Sequence, residues 1–280
     1  MSERIKKLAI LLAFVVLLCD STAAQAQVIY RKLVFKDEFN KALNSPVDSS
    51  KWTAETGGGG WGNEELQSYT TNLENAFHDG QGNFVIKAIK LNPPLNLTCW
   101  YGPCQYTSAR LITKGKFDRK YGRFEARIKI PRGQGMWSAF WMLGSNIEQV
   151  GWATCGEIDV MENIGREPAI VHGTIHGPGY SGANGISSSF SLPNNPIFAD
   201  DFHVYRADWT ENKIEFYVDG NLYKTITPQN LPAGKTWVYD HPFFMILNLA
   251  IGGNWGGAPD ATTVFPGEMK IDYVRVYRRG

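Results

Sequence analysis

Three carboxylic acids within eight residues carry the densest chemistry in this sequence: Gly156-Glu157-Ile158-Asp159-Val160-Met161-Glu162-Asn163. Along a β-strand, side chains two apart face the same side, so Glu157 and Asp159 share a face. The next position on that face is Met161, yet the third acid stands at 162. One extra residue after Asp159, a β-bulge, returns Glu162 to the acidic face. Glu157 and Glu162 are then four strand positions apart, roughly 13 Å between Cα atoms. Side chains leaning inward by about 3–4 Å each leave the carboxyls about 5–6 Å apart. Retaining glycosidases hold their two carboxyl groups about 5–5.5 Å apart, whereas inverting ones need a wider gap for water. The spacing therefore predicts a retaining pair, in which one carboxylate attacks an anomeric carbon and one carboxylic acid protonates the leaving oxygen. Three acids on one face cannot all ionise cheaply, and their repulsion raises at least one pKa. Asp159, between the two, can share a hydrogen bond and bias which neighbour keeps its proton. The spacing does not say which glutamate attacks.

Alternating acids are ordinarily just a solvated strand face. Here Ile158, Val160 and Met161 make the other face apolar, as in a central strand, and the acids fit such a strand only if their face lines a cleft. Aromatic residues supply the second constellation. Trp137 and Trp141, four apart, share a strand face, and Trp61, Trp152, Trp209 and Trp255 lie in or beside glycine-rich stretches. Indoles offer flat apolar platforms to the C–H faces of sugar rings. Trp61 and Trp255, flanked by glycines that let backbone approach a ligand, are the stronger candidates.

The elements that must position these groups read as strands throughout. Val34-Phe35, 83–88, 110–113, 123–130, 139–143, 157–163, 169–175, 203–209, 213–218, 222–226, 243–250 and 269–277 are short runs rich in β-branched and aromatic residues, separated by turn residues. Lys213–Val218 and Leu222–Ile226 flank Asp219-Gly220, a hairpin signal. No segment sustains a helical period, so the pattern predicts an all-β antiparallel sandwich or barrel in one domain. Gly57–Gly60, Gly179–Gly185 and Gly252–Gly257 are expected loops, where sites over a rigid sheet commonly lie.

The start of the chain reads as a signal peptide. Arg4, Lys6 and Lys7 precede the apolar run Leu8–Leu18, and Ala24-Gln25-Ala26 suits cleavage before Gln27. The expectation is a leader over 1–26, one catalytic domain over 27–280, and secretion to an extracellular or periplasmic space. The leader holds three of the chain's 28 basic and two of its 27 acidic residues, leaving 25 of each. Such balance argues against nucleic acid or an anionic membrane as partner. Cys99 and Cys104 flank a turn-like Trp100-Tyr101-Gly102-Pro103 and could pair in an oxidising compartment. Cys155 has no basic neighbour to activate it and reads as a buried thiol.

These residues resemble glycoside hydrolase family 16, and within it the bacterial laminarinases, whose signature Glu-x-Asp-x-x-Glu is matched by Glu157, Asp159 and Glu162. The resemblance extends to LVFKDEF at 33–39, GWGNEELQSY at 60–69, 107–127, 135–143, 172–176, 216–223, NLAIGGNWGGAPD at 248–260, and 269–277. It implies a jelly-roll β-sandwich of the concanavalin A-like type, with an open substrate cleft on the concave face. It further implies Glu157 as nucleophile, Glu162 as acid/base and Asp159 assisting. Asn63 and Arg110 would bind glucose units on the non-reducing side, and Trp137 and Trp141 would stack near the cleavage point. His176 would lie toward the leaving group, with Trp255 a further contact. Many members hold a structural calcium on the convex face; the matching positions are the carbonyls of Glu38 and Gly82 and the side chain of Asp272. Catalysis needs no cofactor. The residue that lengthens this motif relative to the Glu-x-Asp-x-Glu of mixed-linkage lichenases favours endo-cleavage of β-1,3-glucan; the chain is expected to act as a monomer. Mixed-linkage glucanase or another family-16 polysaccharide hydrolase is the nearest alternative. A non-catalytic glucan-binding protein is the alternative of another class, and relatives of that kind lack the two glutamates.

Overall fold

The computed structural model describes residues 30–92, 96–194 and 196–280. The expected leader and its cleavage point lie outside them. Each run read as a strand falls on a strand, most with ends moved by no more than two residues; Val34-Phe35 is the middle of Tyr30–Asp37, and 139–143 lies within Met136–Gly144.

Two large sheets pack face to face. One has seven strands in the spatial order Ile186–Ser191, Ile170–His176, Glu157–Ile164, Met136–Gly144, Phe243–Ile251, Arg110–Ile112 and Thr53–Glu55. The other has ten: Asn221–Ile226, Lys213–Val218, His203–Thr210, Gly122–Lys129, Gly267–Arg279, Phe84–Lys90, Tyr106–Ser108 and Gln67–Tyr69 in order, with Tyr30–Asp37 and Ala76–His78 paired at its side. Neighbours run antiparallel except Gln67–Tyr69 against Tyr106–Ser108. Strand neighbours in space are often far apart in sequence, as a jelly roll requires.

Alternation of side chains builds the core. Gly122–Lys129 alternates buried and half-buried positions along its length, sending Phe124, Ala126 and Ile128 inward. Val274 and Val276 do the same from the adjoining strand. They meet Phe140, Met142, Ile158, Met161, Ile175 and Leu247 from the seven-stranded sheet in one continuous cluster. Each such side chain contributes about 1.5–3 kcal/mol on full burial, opposing the entropy lost in ordering the chain. Phe243–Ile251 is buried at every position: away from the sandwich core, Phe244 and Ile246 pack with Ile112, Leu143 and Cys155, Ala250 with Trp137 and Trp255, and the loop and strand at 63–69 bind Asn248 and Ile251. At the Asp219-Gly220 turn both residues have positive φ, 49° and 82°, which matches the right-handed twist of the flanking strands. Among the described residues, helix is confined to single turns such as Ile147–Val150 and Gly253–Gly256.

Candidate active site

The acidic strand lies in the middle of the seven-stranded sheet and carries a bulge where the sequence requires one. Against Met136–Gly144, Phe140 pairs with Met161 and Trp141 with Asp159, so Val160 has no partner of its own. On the other side the register with Ile170–His176 also shifts between Asp159 and Glu162. Val160 and Met161 both turn into the core beside Ile158. Two successive inward residues restore Glu162 to the face of Glu157 and Asp159.

Each acid has a defined partner on that face. The Trp152 indole N–H donates to Glu157 Oε2 at 2.7 Å, and Trp137 donates to Glu162 Oε1 at 3.1 Å. His176 pairs with Glu157 across the strands, and its Nε2 lies 3.1 Å from Asp159 Oδ2 and 3.7 Å from Glu157 Oε1. The Glu157 and Asp159 carboxyls lie close enough to shift each other's protonation. Burial raises the Glu157 pKa to about 8, with the Asp159 charge adding to it. Burial lifts Asp159 as well, while the neighbouring Glu157 carboxyl pulls it back. Glu162 is held well above the ordinary range by burial, then by the charges of Asp159 and Glu157. Burial raises both glutamates, and Glu157 has the closer N–H donor for its ionised form, 2.7 Å against 3.1 Å for Glu162. The geometry thus offers a nucleophilic carboxylate and a carboxylic acid on one surface.

A second cluster lies across Phe243–Ile251, two strands from the acids. Arg110 pairs with Glu55, and its guanidinium sits between two indoles, 4.8 Å from the Trp61 ring centre and 4.7 Å from that of Trp141. Trp141 donates to Asn248 Oδ1 at 2.7 Å, Asn248 donates to the Tyr69 hydroxyl at 3.1 Å, and that hydroxyl donates to Glu65 at 3.1 Å. Gln67 donates to the same Glu65 oxygen at 2.6 Å, and Asn63 to the other at 3.4 Å. Glu65 is only 5% exposed, and burial raises its pKa against these hydrogen bonds and the nearby Arg110 charge. Asn63 also accepts from the Asn254 backbone, which ties its loop to the turn carrying Trp255. Trp255 stands edge-on to Trp137, with ring centres 5.3 Å apart. A buried carboxylate therefore braces one aromatic and cationic end of the acidic face.

Residues 63–275 match the family Glycosyl hydrolases family 16. The chain belongs to that family. It is 41% identical to a β-glucanase of Rhodothermus marinus, covering 88% of this chain and 85% of that protein. Among solved structures it is similar to the laminarinase catalytic domain of Thermotoga maritima, at 48% identity and a TM-score of 0.82 over 89% of this chain and 98% of that one. It is also similar to the endo-β-1,3-glucanase of Pyrococcus furiosus, at 48% identity and a TM-score of 0.83, covering 89% and 94% of the two chains.

Within this family-16 sandwich, most residues singled out from the sequence gather at the acidic face: Glu157, Asp159, Glu162, Trp137, Trp141, His176, Arg110, Asn63 and Trp255. Trp209 does not. It is completely buried between the sheets and donates to the Tyr239 carbonyl at 3.2 Å, because it shares inward parity with Tyr205 and Ala207 on its strand. That parity was readable from the strand assignment, so its nearness to a turn was the wrong guide. Glu65, Gln67, Tyr69 and Asn248 were not assigned from sequence, although three of them lie in GWGNEELQSY; an acid amid aromatics was the available signal. Cys99 and Cys104 form a disulfide, and Cys155 is a buried free thiol whose pKa burial lifts to about 11.

The calcium positions lie elsewhere. Asp37 pairs with Val274 and Phe84 with Ile271, which brings Glu38 and Gly82 to the same sheet end as Asp272. The Glu38 carboxylate is bound by Arg275 at 2.9 and 2.7 Å, so only its carbonyl is on offer. The Asp272 carboxylate holds Arg127 at 2.6 Å. These registers place the three positions at one sheet end, and a cation there would have to share the Asp272 carboxylate with Arg127.

Proposed function

We propose that this chain is a secreted endo-acting hydrolase of internal β-1,3-glucosidic bonds in laminarin-like glucans, working by retaining double displacement over a catalytic domain at 27–280. The observation that carries the reading is the bulged strand, which sets Glu157 and Glu162 on one face, with the closer N–H donor on Glu157. Glu157, ionised, attacks the anomeric carbon while Glu162 gives its proton to the departing glycosidic oxygen. A glycosyl ester on Glu157 results. Glu162, now ionised, takes a proton from water, whose oxygen displaces Glu157 and restores both groups. Asp159 and His176 lie against the Glu157 carboxylate and hold it in place through the cycle without exchanging a proton with it. Arg110, Asn63, Trp61 and Trp141 hold sugar on one side of the cut, with Trp137 and Trp255 beside Glu162. The chemistry needs only carboxyls, so no cofactor enters it.

The leader-like first 26 residues and the Cys99–Cys104 disulfide support secretion. The neutral charge balance favours an uncharged glucan, with no nucleic acid or anionic membrane as partner, and we take the working unit to be a monomer. A calcium at Glu38, Gly82 and Asp272 would brace the sheet end without touching the reaction; added calcium should raise Tm, and a chelator should reverse it.

The test is the release of reducing ends from laminarin, with initial rates compared on lichenan, curdlan, agarose and carrageenan. Glu157→Gln should abolish hydrolysis and keep glucan binding. Normal activity in that variant would remove Glu157 from the mechanism, and wild-type binding without cleavage would favour a lectin-like protein.

A further inference from the structure

We propose that the disulfide-closed hairpin at residues 98–103 presents Trp100 as an additional glucan-binding platform at the Arg110 end of the cleft, for sugar units distant from the cleaved bond. This rests on the reading of the chain as a β-glucan hydrolase.

Trp100 is 49% exposed, and only it and Trp152 among the described tryptophans are exposed to that extent. Trp152 has a use, since it donates to Glu157. The indole of Trp100 is not loose. Its N–H donates to the Glu65 carbonyl at 2.8 Å, and its backbone N–H donates to Gly58 at 2.9 Å. Tyr101 stands edge-on to it at 5.5 Å and donates its hydroxyl to the Leu66 carbonyl at 2.7 Å. Gly60, at φ +79°, lets the indole in: a Cβ there would come within 3.0 Å of Trp100 Cδ1. The polar edge of the ring is thus satisfied by protein while much of its apolar surface stays in water, as in a sugar platform awaiting its ligand.

All four anchors belong to the loop at 57–66. That loop also carries Trp61, which covers Arg110, and Asn63, which meets Glu65. Trp100 is therefore rigidly continuous with the proposed site. Strands of two residues do not hold a hairpin alone; here the Cys99–Cys104 bridge closes it, and Cys99 pairs with Gly58. Beside the hairpin lies a cavity of about 480 Å³ edged by Thr56, Ser68, Thr70, Asn72, Asn96 and Thr98. Hydroxyls and amides without a charged group suit a neutral polysaccharide.

The experiment compares kinetics on laminarin and on laminaritriose for wild type, Trp100→Ala, Trp100→Phe and the Cys99→Ser/Cys104→Ser pair. Trp100→Ala should raise KM for laminarin by about five- to tenfold with kcat held, and lower the preference for the long substrate by the same factor. Trp100→Phe should recover most of that loss, and opening the disulfide should reproduce it. An unchanged KM for laminarin in Trp100→Ala, or an equal loss on laminaritriose, would overturn the proposal. Affinity electrophoresis through laminarin reads the platform without catalysis. Retardation weakened by Trp100→Ala supports it even if the wild type cuts no laminarin, whereas unaltered retardation refutes it. Failure of the wild type to cleave laminarin counts against the reading of function alone.

Discussion

Replacing Trp152 with Phe removes one hydrogen-bond donor from Glu157 while keeping an aromatic ring in its place. The indole N–H donates to Glu157 Oε2 at 2.7 Å, and Trp152 is 53% exposed. A hydrogen bond to a charged group is worth about 1.5–3 kcal/mol when shielded. Solvent competition at a half-exposed donor lowers that to about 1 kcal/mol. With one pKa unit equal to about 1.4 kcal/mol, the Glu157 pKa should move up by about 0.7. The sign follows from which form the donor favours: it stabilises the carboxylate, so its loss favours the acid. Glu157 must be ionised to attack, so the acid limb of kcat/KM moves to higher pH. Activity should fall by about fivefold below the limb and converge with wild type above it. Asp159, Glu162 and His176 face the same carboxyl, so the limb reports the group as a whole. The assay is a pH profile of laminarin hydrolysis at subsaturating substrate. A limb that stays in place while the whole profile drops would refute the argument, and would make Trp152 a sugar contact only.

Three further outcomes follow from the same geometry. Glu162→Gln should lose about 10²–10⁴ in rate on laminarin, yet far less in forming the glycosyl-enzyme from a nitrophenyl glycoside, whose leaving group needs no proton; equal losses on both substrates would deny Glu162 the acid role. Glu65→Leu strips the acceptor from Gln67, Tyr69 and Asn63 and leaves buried donors unpaired. It should cost on the order of 3 kcal/mol, about 6–12 °C in Tm, and raise KM as Arg110 loosens; calorimetry showing no change would contradict the bracing role. Glu157→Gln should also stabilise the fold at alkaline pH. The folded Glu157 pKa of about 8 exceeds its unfolded value, so the native state binds the extra proton and wild-type stability falls as pH rises between the two. Melting curves of the pair at pH values above and below that window should diverge only on the alkaline side.

The acidic strand was legible from residue spacing alone, because its information is local. Strand alternation and a one-residue excess suffice to set Glu157, Asp159 and Glu162 on one face, and the register with both neighbours bears this out. The longer strands of both sheets were likewise legible as apolar runs, many with the period of two that the backbone imposes, whereas Thr53–Glu55, Gln67–Tyr69, Ala76–His78, Tyr106–Ser108 and Ile186–Ser191 were not read from sequence. What the spacing left open, the tertiary structure decided. Which glutamate keeps its proton depends on burial and on Trp152, Trp137 and His176, and the His176 contact exists only through the pairing of Ile170–His176 with the acidic strand. The bracing of Arg110 and Trp141 joins Tyr69 to Asn248 across 179 positions of sequence. Such contacts are set by sheet order and loop docking, and no local pattern encodes a partner so far along the chain.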